Sequence, residues 1–114
     1  MTKLKIAVAA LAVMTTAAHA QTSVDQWVAL CLKRASGSDL ASCRSYTRGV
    51  ADAITLLQKV HPELTNICIP PGITENDLVD LALPYVEGQP PTSPPLAAAT
   101  LLIRAFGTAF PCRK

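Results

Sequence analysis

The chain has 114 residues, and its 10 Lys and Arg against 8 Asp and Glu give a formal charge of +2. Lys3 and Lys5 account for that excess, because from Gln21 onward 10 − 2 = 8 bases face 8 acids. A stretch so balanced lacks the electrostatic footprint of a nucleic-acid or anionic-membrane binder.

The first twenty residues read as a secretory signal peptide. Lys3 and Lys5 precede an apolar run from Ile6 to Met14, and His19 lies between Ala18 and Ala20 in an Ala-x-Ala end. The run is too short for a bilayer, which needs roughly 20 residues. Gln21, not Cys, follows the expected cut, so no lipid attachment is expected. What remains is 114 − 20 = 94 residues, the size of one domain with one modest core.

A helix is expected over 23–35, with Val24, Trp27, Val28, Cys31 and Leu32 recurring at helical spacing, Ser23 as cap and Gly37 as stop. Trp27, the only tryptophan, is assigned to the core. A second helix is expected over 39–61, capped by Asp39 and ended by Pro62. Its apolar stripe is Cys43, Tyr46, Val50, Ala53, Ile54, Leu57 and Val60. Arg48 and Asp52 stand four apart and can pair. Gly49 costs this helix about 1 kcal/mol relative to Ala, which close approach of another helix would offset.

Cys68-Ile69-Pro70-Pro71-Gly72-Ile73-Thr74 is the organising corner. Its prolines bar a helix, Gly72 permits a turn, and Thr74 with Asp77 forms a near-capping box for the next helix. That third helix is expected over 75–86, with Leu78, Leu81, Ala82, Tyr85 and Val86 on one face. Pro84 should kink or end it. The segment 87–95 has four prolines and reads as a stiff, semi-extended loop. A fourth helix is expected over 95–110, apolar almost all round. So small a core would not cover it fully, and a homodimer is therefore expected. The fold class is all-α: a small four-helix domain stapled by two disulfides.

The even number of cysteines behind an export signal implies disulfides. Cys31 ends the first helix and Cys43 begins the second, so a short hairpin brings them together. From Cys43 the second helix climbs about 27 Å to His61 at about 1.5 Å per residue. The return to Cys68 spans at most about 25 Å. Doubling back all the way is barely possible, which leaves Cys31–Cys43 and Cys68–Cys112 as the pairs. By chain entropy these loops contribute about 3 and about 4 kcal/mol.

No active site is legible. His61 beside Pro62 reads as a helix-end cap, and Asp77 with Asp80 as acids favoured by the helix dipole. There is no phosphate loop, no serine elbow and no metal-ligand spacing, so no catalytic residue, metal or other cofactor is expected.

The helix segment Cys43-Arg44-Ser45-Tyr46-Thr47-Arg48-Gly49-Val50-Ala51-Asp52 resembles the Cys-x-x-Tyr-x-x-Gly-x-x-Asp helix of the Rap/Tai family of type VI secretion amidase immunity proteins. The 68–74 corner, the amphipathic helix after it, and Ala105-Phe106 through Phe110-Pro111-Cys112 resemble the rest of that family's domain. Two departures are Asp52-Ala53, where many relatives have Asp-Gly, and the proline-rich loop. The resemblance implies a small periplasmic helical protein, often homodimeric and not an enzyme. Such a protein binds a peptidoglycan amidase effector and blocks its cleft. Glu87, Gln89, Pro90, Pro91, Thr92 and Ser93 are the expected contact residues, because their loop is stiff and protrudes. The alternative is a periplasmic acid-stress chaperone of the small helical, disulfide-bearing type, although nothing clusters its acids.

Overall fold

A computed structural model of the chain describes residues 21–32 and 37–113. The expected signal peptide and the end of the first helix lie outside them. Over the described residues the architecture is all-α, with four helices: α1 Val24–Leu32, α2 Gly37–Val60, α3 Glu75–Glu87 and α4 Ala98–Ala109. A short 3-10 turn, Pro62–Leu64, follows α2. Among the described residues no strand is longer than an isolated bridge. Every one of the four helices touches the other three. Their apolar faces meet in a core whose largest fully buried side chains are Trp27, Phe106, Leu78 and Leu102.

The caps form where the residue types ask for them. At α1 the Gln26 amide donates to Ser23 Oγ at 3.2 Å, and the Ser23 amide donates to Gln26 Oε1 at 2.9 Å. At α3 the Asp77 amide donates to Thr74 Oγ1 at 3.1 Å, and the Thr74 amide donates to Asp77 Oδ2 at 3.4 Å. Both are reciprocal capping boxes. Gly72 turns the corner ahead of α3 with φ +83°, a left-handed conformation that L side chains resist.

Several expected boundaries move. The chain is already helical at Gly37, so Asp39 lies in the first turn of α2 and not ahead of it. Pro84 does not end α3, which runs on to Glu87. It falls in the last turn, where the helix closes by the Gly88 amide donating to the Pro84 carbonyl at 3.1 Å. Helix α4 starts at Ala98, not at 95. Ala97 is extended instead, because it bridges to Ser23 at the entry to α1. The Val24 amide donates to Leu96 O at 2.9 Å, and the Ala98 amide donates to Thr22 O at 2.8 Å.

Helix α2 differs most from expectation. Its 24 residues make it about 36 Å long, against about 20 Å or less for the others. The buried row is Cys43, Thr47, Ala51 and Ile54. Tyr46 and Val50 flank it half-buried, while Ala53, Leu57 and Val60 are exposed. Beyond Ile54 no residue of α2 is buried. Leu56 is 62% exposed, Val60 60% and, in the following turn, Leu64 65%. Helix α4, by contrast, is well covered. Of its large apolar residues only Ile103 is exposed, so α4 itself no longer calls for a partner.

Both disulfides form as paired above: Cys31–Cys43 with Cα atoms 5.1 Å apart, and Cys68–Cys112 with Cα atoms 4.9 Å apart. Main-chain hydrogen bonds clamp the second. The Cys68 amide donates to Phe110 O at 2.8 Å, and the Cys112 amide donates to Asn66 O at 3.1 Å.

Candidate partner-binding site

The disulfides place two surfaces. Cys31 and Cys43 are buried and hold α1 against α2, which fixes the outer face of α1. The long-range pair joins the start of the 68–74 corner to the end of α4 and lines neither of the two hollows described below.

The expected contact loop runs from the last turn of α3 into the proline segment. Glu87 closes α3, and Gln89 folds back, its Nε2 donating to Tyr85 O at 3.2 Å. Pro90, Pro91, Thr92 and Ser93 are exposed. Thr92 Oγ1 donates to Pro94 O at 3.0 Å, which tightens the tip. The loop is therefore tied at both ends and stiffened between by proline.

Glu87, Gln89, Pro90, Pro91 and Thr92 form one wall of a groove of about 500 Å³, and Ser93 lies outside it. The opposite wall is α1, through Val24, Val28 and Leu32, with Asp25 at its edge. Leu101 and Val86, from α4 and α3, also line the groove. Sequence reasoning found the loop and missed this wall. It placed Val24, Val28 and Leu32 on the apolar stripe of the first helix without separating them from Trp27; Val24 and Val28 are half-buried and Leu32 is 53% exposed. Their i, i+4, i+8 spacing marks a stripe distinct from the buried Trp27 and Cys31 of the same helix.

A second hollow of about 440 Å³ lies over the middle of α2, lined by Arg44, Arg48, Gly49, Asp52 and Glu75 among others. Arg48 organises it. Its Nη2 donates to Ile73 O at 2.6 Å and its Nε to Glu75 Oε1 at 3.2 Å, while Asp52 stands 3.9 Å away. The expected pairing of Arg48 with Asp52 is thus the looser of its two ion pairs. The Glu75 carboxyl is held below its ordinary value, first by a hydrogen bond from its own backbone amide and then by Arg48. No neighbour approaches within 4 Å of where a Cβ on Gly49 would sit. The close helix approach expected there is absent.

His61 Nδ1 lies 3.0 Å from Glu63 Oε1, both exposed, at the start of the 3-10 turn and away from either hollow. Among the described residues no group of three His, Cys, Asp or Glu is placed to hold a metal ion, and every cysteine is bonded. No described helix is long and apolar enough to cross a membrane.

Neither the comparison with curated proteins nor that with solved structures gave a match. The family model for Rap1a immunity proteins matches residues 23–112, from the cap of α1 to the last disulfide cysteine. The match takes in all four helices and both staples, and by it the chain belongs to the Rap1a immunity protein family.

Proposed function

We propose that this protein is a periplasmic, non-enzymatic immunity protein that binds a type VI secreted peptidoglycan amidase and occludes its cleft. The observation that carries this is the family match over residues 23–112. Two disulfides favour an oxidising compartment such as the periplasm. The physical form suits occlusion. A loop braced by proline and held on a cross-linked bundle loses little conformational entropy when it docks. Glu87, Gln89, Pro90, Pro91, Thr92 and Ser93 form the contact edge in this reading.

The test is periplasmic co-expression with amidases of the same genome, starting from any encoded beside this gene. Cells carrying the toxin survive with this chain and lyse without it. Lysis in both cases, with no complex in a pull-down, overturns the proposal.

The protein also acts as a homodimer in this reading. Leu56, Val60 and Leu64 offer an apolar strip where α2 outruns the bundle, and a second copy covers it. Sedimentation should give twice the chain mass for wild type and a lower mass for Leu56→Lys. A wild-type monomer at tens of micromolar removes the dimer from the proposal.

A further inference from the structure

The groove between α1 and the proline loop has an uneven chemistry. Its floor and both walls are largely apolar, and among the described residues the charged ones that line it are Asp25 and Glu87. Both are exposed, and neither has a cationic partner among the described residues. Asp25 sits in the first turn of α1, where the helix dipole favours an acid. Glu87 is the opposite case. It is the last residue of α3, where the dipole disfavours a carboxylate and favours a cation. Among the described residues no hydrogen bond uses its side chain, so nothing in that part of the bundle accounts for its placement.

An apolar slot with unpaired carboxylates at its edge matches one kind of side chain. Lysine and arginine carry an apolar stem and a cationic tip, and they bury the first while pairing the second. A groove of about 500 Å³ has room for such a side chain and an apolar neighbour. We infer that this groove receives a lysine or arginine side chain presented by a loop of the bound effector. Its stem lies between Val28 and the proline wall, and its charge lies between Asp25 and Glu87. The inference rests on the reading of this loop as the contact edge, and it names what that edge recognises. Stacking of an alkyl or guanidinium stem on Pro90 and Pro91 would set the depth, and the two carboxylates would set the sign of charge.

The experiment has two arms on the full chain. In the first, calorimetry measures binding of the protective amidase to wild type and to Asp25→Asn/Glu87→Gln. The expected result is a roughly tenfold loss of affinity and a shallower salt dependence, the scale of two exposed ion pairs, with an unchanged melting temperature. In the second, methyl resonances of Val28 and Leu101 are followed with acetylated Leu-Lys-Leu and Leu-norleucine-Leu peptides. The lysine peptide shifts them in wild type and not in the double variant, and the norleucine peptide shifts neither. Equal amidase affinity of wild type and variant overturns the groove inference and leaves the immunity reading intact. If no amidase binds wild type, the immunity reading falls and the peptide arm decides the groove. Lysine-selective shifts then uphold it, and no shift, or equal shifts with norleucine, overturns it.

Discussion

Thr47 shows what one residue does in this fold. Among the described residues it is the only polar one in the buried core, fully excluded from solvent. Its hydroxyl accepts from Trp27 Nε1 at 3.0 Å and donates to Cys43 O at 2.7 Å, so one oxygen satisfies the indole and ties α1 to α2. Thr47→Val keeps the shape and orphans the indole N–H, and it should cost about 1–3 kcal/mol in chemical denaturation. A helical stripe read from apolar letters passes over a threonine, which is why Thr47 was not legible while Trp27 was. Glu75 gives a titration at the same scale. Its folded pKa is lowered, so its interactions stabilise the fold above the ordinary value of 4.5, and that contribution is lost as pH falls through the lower folded value. The NMR midpoint of Glu75 should lie below 4.5 and should rise in Arg48→Gln without reaching it, because the backbone amide still donates. A midpoint unmoved by that substitution would remove Arg48 from the account.

At the scale of elements, two glycines act in opposite directions. Gly72 holds φ +83° in the corner, so Gly72→Ala should destabilise by about 1–2 kcal/mol although space for the methyl is open. Gly49 lies inside α2 with the same open space and an ordinary helical backbone, so Gly49→Ala should stabilise by about 1 kcal/mol. Thermal melts of the two variants should move in opposite directions. Helix interiors and the Thr74 cap were legible because period and capping chemistry are local. The start of α4 was not, because Ala97 is held extended between main-chain bonds that Leu96 O and the Ala98 amide make to Val24 and Thr22, more than seventy residues away in sequence. The free end of α2 was not legible either. A stripe of apolar letters cannot tell how far the neighbouring helices reach, and Leu57 and Val60 continue the period past the point where cover ends.

For the whole molecule, the disulfide pairing was legible because helix length limits which cysteines can meet. Closing the 12-residue and 44-residue separations contributes about 3 and about 4 kcal/mol by chain entropy. For a domain this small each is a large share of net stability. Cys68→Ala/Cys112→Ala should therefore lower stability more than Cys31→Ala/Cys43→Ala, once the cavity left by the buried pair is allowed for. Under mild reductant, mass spectrometry should find Cys68–Cys112 opened first, since Cys68 is exposed while Cys31 and Cys43 are buried. The candidate site was half legible. Proline stiffness singled out the loop, but the α1 wall and the pairing of Asp25 with Glu87 at one groove depend on how α1 lies against α3 and α4, which no local pattern encodes.

The central claim is occlusion of an effector's cleft, and inhibition at stoichiometric ratio tests it most directly. Hydrolysis of purified peptidoglycan by the amidase against which this chain protects cells should fall to background near one chain per enzyme, and wild type should inhibit at lower concentration than Asp25→Asn/Glu87→Gln. Undiminished hydrolysis at a tenfold molar excess of the folded, disulfide-bonded protein would contradict it.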